Sequence, residues 1–216
     1  MTENTSPRTL ILPSIATDEE LKAELQKALD FKVGQVRGVS LKNDSLKSIE
    51  ALGGVGALEK VQAKLTELGF DINVAHFDSY RWYPAGYEPA VYLVAAHLFG
   101  WRENDIENLG RIATRGSEFI RVIMNFVSMK STLRSAPEYW RKYYDFGELV
   151  PVGYFEDEPS IIFQIKGAHV HSVMEIFSKG YFRGVVELVT GSKNVSVTIH
   201  KSAAQGDEYT EYKISW

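Results

Sequence analysis

The sequence predicts an α+β fold in which N-terminal helices pack on a C-terminal antiparallel sheet crossed by one helix. Three observations predict it. Apolar residues recur every three or four positions from residue 17 to about 134, the period falls to two in four short runs after residue 147, and one long helical pattern splits those runs into two hairpins.

Residues 1–33 read as an N-terminal arm. A short apolar patch, LILPSI, precedes Thr17, Asp18 and Glu20, which are capping residues for an amphipathic helix over 17–31 carrying Leu21, Leu25, Ala28 and Leu29. The main domain is assigned to 34–216. VRGVSL after Gly34 reads as a short strand. Helices are predicted over 44–52 and 54–68, the second ended by Gly69. The loop 70–83 ends in Tyr80, Trp82 and Tyr83, and Pro89 suits the first turn of a helix through PAVYLVAAHLF, ended by Gly100. Further helices are predicted over 104–113 and 115–134, and Pro137 is read as closing the helical half. ELVPVGYF, PSIIFQIKG, SVTIHKS and YTEYKISW have strand character, with a helix over about 169–189 between the two hairpins.

Composition narrows the function. The 216 residues are 44% hydrophobic and 12% aromatic, enough for one good core. Mixed charges summing to −4 give no electrostatic reason to expect nucleic acid or an anionic membrane. With no cysteine, disulfides, thiolate metal sites and cysteine nucleophiles are excluded. The longest apolar run is too short for a transmembrane segment, and MTENTSPRTLILPSI does not read as a signal peptide, so a cytoplasmic location is expected.

No motif for catalysis stands out. GGVG at 53–56 lacks the preceding strand and following Lys-Ser/Thr of a phosphate loop, and a helix cap uses the same glycines. There is no Gly-x-Ser-x-Gly elbow, and Glu156, Asp157 and Glu158 sit in a solvated turn. His169 and His171 would share a face only on a strand, and no third ligand is readable beside them. His97, alone on an apolar helix, fits a hydrogen-bonded packing residue, although haem needs only one such ligand. Apolar residues nearly all round two neighbouring helices fit either solid core or the wall of an apolar ligand cavity.

The stretch IFSKGYFRGVVELVTGSKNVSVTIHKSAAQGDEYTEYKISW resembles the 4-vinyl reductase small-molecule-binding domain: a helix with two spaced glycines, Gly180 and Gly184, then a strand, a Gly206-Asp207 turn and a last strand ending in an aromatic. RGVSLKNDSLKSIEALGG and RWYPAGYEPAVYLVAAHLFGW are similar to a related bacterial family and, more distantly, to the haem nitric-oxide-binding (H-NOX) domain, in one superfamily with the transport protein particle (TRAPP) subunits. The resemblance covers about 34–216. Its departures matter. The usual cysteines are replaced by residues such as Ile176 and Thr210, the segment matching the proximal-histidine helix has no histidine, and the Tyr-x-Ser-x-Arg propionate clamp expected near IIFQIKG is missing.

The resemblance therefore implies a non-catalytic sensor or carrier domain with no cofactor and no haem, holding a long apolar ligand, best a fatty-acyl chain. Tyr92, Phe99, Phe119, Ile123, Met124 and Phe126 are expected as wall, with Arg115 or Arg121 meeting the carboxylate. About twelve methylenes at ~0.8 kcal/mol each would supply the binding free energy. The alternatives are a TRAPP-like dimerising adaptor with no ligand, and a haem-based gas sensor or tetrapyrrole-related enzyme. A homodimer is expected, because Leu10, Ile11, Leu12, Leu21, Leu25 and Leu29 read as a docking strip and Tyr139, Trp140, Tyr143 and Tyr144 as exposed aromatics.

Overall fold

The computed structural model describes residues 6–31, 34–116 and 128–216. Helix α1 (Asp18–Asp30) opens with a capping box in which the Thr17 hydroxyl accepts from the Glu20 amide while the Glu20 carboxylate accepts from the Thr17 amide. Strand β1 (Gln35–Arg37) pairs antiparallel with β2 (Trp82–Pro84). From β1 the chain enters α2 (Gly38–Ser40), widens into a π-helical stretch Leu41–Leu46, and continues as α3 (Lys47–Gly53). Helices α4 (Ala57–Glu67), α5 (Tyr87–Phe99) and α6 (Glu103–Gly116) complete the first half.

The second half is α7 (Met129–Tyr143), β3 (Glu148–Phe155), β4 (Ser160–Lys166), α8 (Ser172–Thr190), β5 (Ser196–Lys201) and β6 (Tyr209–Ser215). The four strands form one antiparallel sheet in the order β3-β4-β6-β5. The α+β expectation holds: the sequence runs helices, hairpin, crossing helix, hairpin. One outer strand, β3, carries Pro151 and a break in register between Pro151 and Gly153. Along the other, β5, the Arg8 amide donates to the Ile199 carbonyl, and the Arg8 guanidinium pairs with Asp207 at 3.1 Å.

Two corrections concern the helices. VRGVSL is extended only at Val36 and Arg37, the end of β1, and is helical from Gly38 onward. Pro137 does not close the helical half but lies inside α7. Its ring costs the Leu133 carbonyl a helical partner, yet the helix continues to Tyr143, because the apolar face of Met129, Leu133, Ala136 and Tyr139 is buried against the sheet.

Two apolar clusters form the interior. One joins α1, α4, α5, α6 and the first half of α8, and the other joins α7, the sheet and the second half of α8. Helix α8 crosses α6 at very short range. A side-chain carbon on Gly180 would stand 1.7 Å from the Glu107 carbonyl oxygen, and one on Gly110 would stand 2.0 Å from that of Phe177. Only glycine allows this approach. Leu21 and Leu25 of the apolar strip read as a docking surface are fully buried in the first cluster, together with Ala28, and Leu10 and Leu29 are partly buried against it, while Ile11 is 71% exposed. The leucines of α1 therefore dock on their own domain. Among the described residues no helix is long and apolar enough to cross a membrane.

Candidate functional site

Between the two clusters lies an apolar cavity of about 120 Å³, open to solvent, walled by α7, α8 and the inner face of the sheet. The alternation of β4 and β6 sends Ile161, Phe163, Ile165 and Tyr212 into it, and the helical spacing of α7 brings Ala136, Tyr139, Trp140 and Tyr143 to the same space. Trp140 and Tyr144 stack at 4.4 Å, and the indole N–H of Trp140 donates to the Phe146 carbonyl at 2.8 Å, which fixes both rings. Phe163 stacks on Phe182 at 5.3 Å across the cavity floor.

The polar groups of the lining gather at its ends. At the sheet end the buried Glu175 carboxylate accepts from the Ser202 hydroxyl at 2.6 Å, the Thr210 hydroxyl at 2.5 Å and the Ala204 amide at 3.1 Å, which holds the β5–β6 turn. At the helical end stand Ser40, Asp44 and Tyr144, with Glu88 behind them. The Glu88 carboxylate, 1% exposed in the first turn of α5, accepts from the hydroxyls of Ser40 at 3.3 Å, Ser45 at 3.1 Å and Tyr144 at 3.2 Å. The Tyr92 hydroxyl is 2.7 Å from that of Ser45. Burial raises the Glu88 pKa to about 7 against the lowering effect of these donors. Burial and the Glu88 charge push the Tyr144 hydroxyl well above its ordinary value, so it remains a donor at any physiological pH.

The π-helical stretch explains this cluster. Residues five apart on an α-helix point about 140° apart, whereas the wider π turn brings them into line. Ser40 and Ser45 therefore both reach the same Glu88 oxygen.

The expected wall residues are distributed differently. Phe119, Arg121, Ile123, Met124 and Phe126 lie outside the described residues. Tyr92 is fully buried in the first cluster, stacked on Phe177 at 4.6 Å, and is not part of the cavity lining. Phe99 packs on Trp101 at 5.1 Å, away from the cavity, and Arg115 borders a separate surface cleft with Arg111 and Lys193. Tyr139, Trp140, Tyr143 and Tyr144, read as exposed, are cavity wall instead. Their positions fall on one helical face, a signal hidden by reading Pro137 as a terminator. Glu88 was passed over, although a carboxylate beside PAVYLVAAHLF must be buried with whatever that helix buries.

The histidines serve structure. His97 Nδ1 lies 3.2 Å from the Ile15 carbonyl and Nε2 3.3 Å from Asp18, tying the arm to α5. His171 caps α8 by accepting from the Val173 amide at Nδ1, so Nε2 carries the proton and donates to Glu24 at 3.0 Å. Among the described residues no three His, Cys, Asp or Glu side chains are grouped to hold a metal ion.

No family model and no curated protein matches the sequence. Solved structures do match its fold. An H-NOX protein from S. oneidensis in the Fe(II)NO ligation state aligns over 83% of this chain and 98% of its own, at TM-score 0.59 and 12% identity. An oxygen-binding H-NOX domain related to soluble guanylate cyclases, in its oxygen complex, aligns over 78% and 90%, at TM-score 0.53 and 12% identity. A protein studied for haem redox potential tuned by porphyrin distortion aligns over 82% and 98%, at TM-score 0.57 and 12% identity.

These neighbours overturn the expectation of a fatty acid held without a cofactor, because the solved structures sharing this fold are described with haem, nitric oxide or oxygen. Whether the residues here suit a haem is a separate matter. Among the described residues the lining offers tyrosine hydroxyls and the thioethers of Met129 and Met174 as axial donors, but no imidazole, no thiolate, and no lysine or arginine to meet propionates. Asp44 and Glu175 add acceptors instead. The described lining is apolar and aromatic and supplies neither a histidine for haem iron nor a cation for propionates. The fold is that of the H-NOX domain, at an identity that speaks for architecture alone.

Proposed function

We propose that the chain is a non-catalytic sensor domain that holds a planar macrocyclic or linear tetrapyrrole in the cavity between α7, α8 and the sheet. One observation carries the reading: in a fold whose solved neighbours are described with haem, the cavity is walled by rings, Tyr139, Trp140, Phe163 and Tyr212 among them. Stacked or edge-on aromatic walls favour a flat conjugated ligand over a flexible one, since each ring pair adds about 0.5–1.5 kcal/mol beyond the area it buries.

Titration of the purified protein with hemin, metal-free protoporphyrin and biliverdin, followed by absorbance and by quenching of Trp140, tests the reading. At least one tetrapyrrole should bind at micromolar concentration. Ala136→Trp, which fills the cavity from the buried face of α7, should weaken that binding about tenfold or more while the far-ultraviolet dichroism stays unchanged. Failure of all three pigments to bind, or binding indifferent to Ala136→Trp, overturns it.

A further inference from the structure

Three elements meet at the Glu88 carboxylate: the π-helical stretch with the residue before it, which supply Ser45 and Ser40, helix α5 itself, and the end of α7, which supplies Tyr144. Both serine hydroxyls donate to Oε1, at 3.3 and 3.1 Å, and among the described residues Oε2 has the Tyr144 hydroxyl alone, at 3.2 Å. Among the described residues no lysine, arginine or histidine is paired with this carboxylate. A carboxylate has about four acceptor positions, so the ionised form is short of donors at a depth where only 1% of the residue is exposed. Water is close by. Ser40 and Tyr144 line the solvent-open cavity, and Glu88 stands behind them outside the lining. The Tyr144 ring therefore stands at the boundary between the cavity and the carboxylate. Its backbone is held, since Tyr144 bridges to Val36 and the Asp145 amide donates to the Gln35 carbonyl at 3.1 Å, so the movable part is the ring, stacked on Trp140 at 4.4 Å.

We propose that the Tyr144 ring is a proton-operated gate between the cavity and Glu88: it stays seated while the carboxyl holds a proton and swings aside to admit water when the carboxyl ionises. With the gate shut the carboxyl is buried, and burial raises its pKa to about 7; with the gate open it is hydrated and returns toward the ordinary 4.5. The shut form therefore binds the proton more tightly, and raising the pH through that interval shifts the population to the open form. Asp44 competes with Glu88 for the one Ser40 hydroxyl proton, at 3.3 Å from each, which leaves the ionised Glu88 with less than its full set of donors. The other groups facing the cluster are Ser45, Tyr92 of α5, which reaches it through Ser45, and Tyr181 of α8, which adjoins Tyr144. Burial holds the hydroxyls of Tyr92 and Tyr144 well above their ordinary value, so neither ionises between pH 5 and 8. Opening unseats Tyr144 from Trp140 and reshapes the cavity wall whatever ligand is held there, tetrapyrrole or not.

The test is proton–carbon NMR of the full chain labelled in its tyrosine rings, with the Tyr144 signal identified by its loss in Tyr144→Phe. In the stack the Tyr144 ring protons lie within the shielding of the Trp140 indole. Between pH 5 and pH 8 the wild-type signal should move from that shielded position toward that of an exposed tyrosine, and return on acidification. Glu88→Gln, which has no proton to titrate, should keep one position throughout the range. Ser45→Ala keeps Glu88 but removes a donor to its ionised form, so the midpoint should move to higher pH; this variant serves if Glu88→Gln fails to fold. A wild-type signal that does not move, movement toward the exposed position on the acid side, movement retained in Glu88→Gln, or an unmoved midpoint in Ser45→Ala overturns the gate. Pigment titrations leave this outcome untouched, so the gate and the tetrapyrrole reading fail separately.

Discussion

Glu88→Gln isolates the one carboxyl whose titration falls near neutrality. In the folded chain Glu88 takes its proton with a pKa of about 7, against 4.5 for an exposed glutamate. Between those values the native state holds a proton that the unfolded state has released, so stability falls as pH rises through this window, and is constant above it. The full difference is about 3 kcal/mol, with a slope of up to about 1.4 kcal/mol per pH unit. Glu24 and Glu20 do not obscure this: hydrogen bonds hold both below their ordinary value, against burial in the case of Glu24, so they act below pH 4.5 and with opposite sign. The groups facing Glu88 are Ser40, Ser45 and Asp44 from the π-helical stretch and the segment before it, Tyr144 from the end of α7, and Tyr92 one turn along α5, whose hydroxyl burial pushes well above its ordinary value. Urea unfolding at pH 5, 6, 7 and 8, read by tryptophan fluorescence, should show the wild type losing about 2–3 kcal/mol relative to Glu88→Gln across the series. The amide changes the absolute level as well, because its N–H₂ needs an acceptor, and the difference in slope is the diagnostic quantity. Parallel curves for the two proteins would show that Glu88 does not carry a raised pKa and that the cluster is not dry.

Three further outcomes follow from packing. Gly180→Ala should cost about 2–3 kcal/mol or prevent folding, because the new methyl meets the backbone of α6 and no side chain can yield; thermal melts of soluble protein measure it. Leu25→Ala should cost 2–5 kcal/mol by the same assay, the value for a core leucine rather than for a detachable arm. His171→Ala removes both the cap of α8 and the bond to Glu24 and should cost about 2 kcal/mol, with faster amide exchange at Val173 than at the middle of α8.

The strands and the crossing helix were legible from local pattern: YTEYKIS alternates, SIIFQIK is a short apolar run rich in β-branched residues, and residues 172–190 repeat at helical spacing between an N-cap and Gly191. Helix α1 was legible from its capping residues. What local pattern could not show was the outcome of competition. Pro137 is a helix breaker by its own chemistry, and the burial of its neighbours overrides it. The π-helical stretch follows from Glu88, 43 residues downstream of Ser45, drawing two serines to one oxygen, and no periodicity in LKNDSL announces it. The cavity was harder still, since Tyr92 and Trp140 read alike as aromatic positions on helices, and only the tertiary arrangement makes one core and the other wall.

Strands at the rim of a sheet are open templates on which another chain can grow, and this molecule closes both rims by different means. At β5 the template is filled from within: Arg8 donates to Ile199 and is locked by Asp207, so residues 6–9 act as a plug. At β3 the template is spoiled, because Pro151 has no N–H to offer and the irregularity after it disrupts the ladder on which a second strand would align. The apolar side chains exposed near that rim, Val152, Tyr154 and Phe155, are thereby kept from nucleating fibrous association. Trimming the first nine residues would reopen the β5 rim alone, and because the β3 rim stays spoiled, edge-to-edge association would stop at a β5-to-β5 pair.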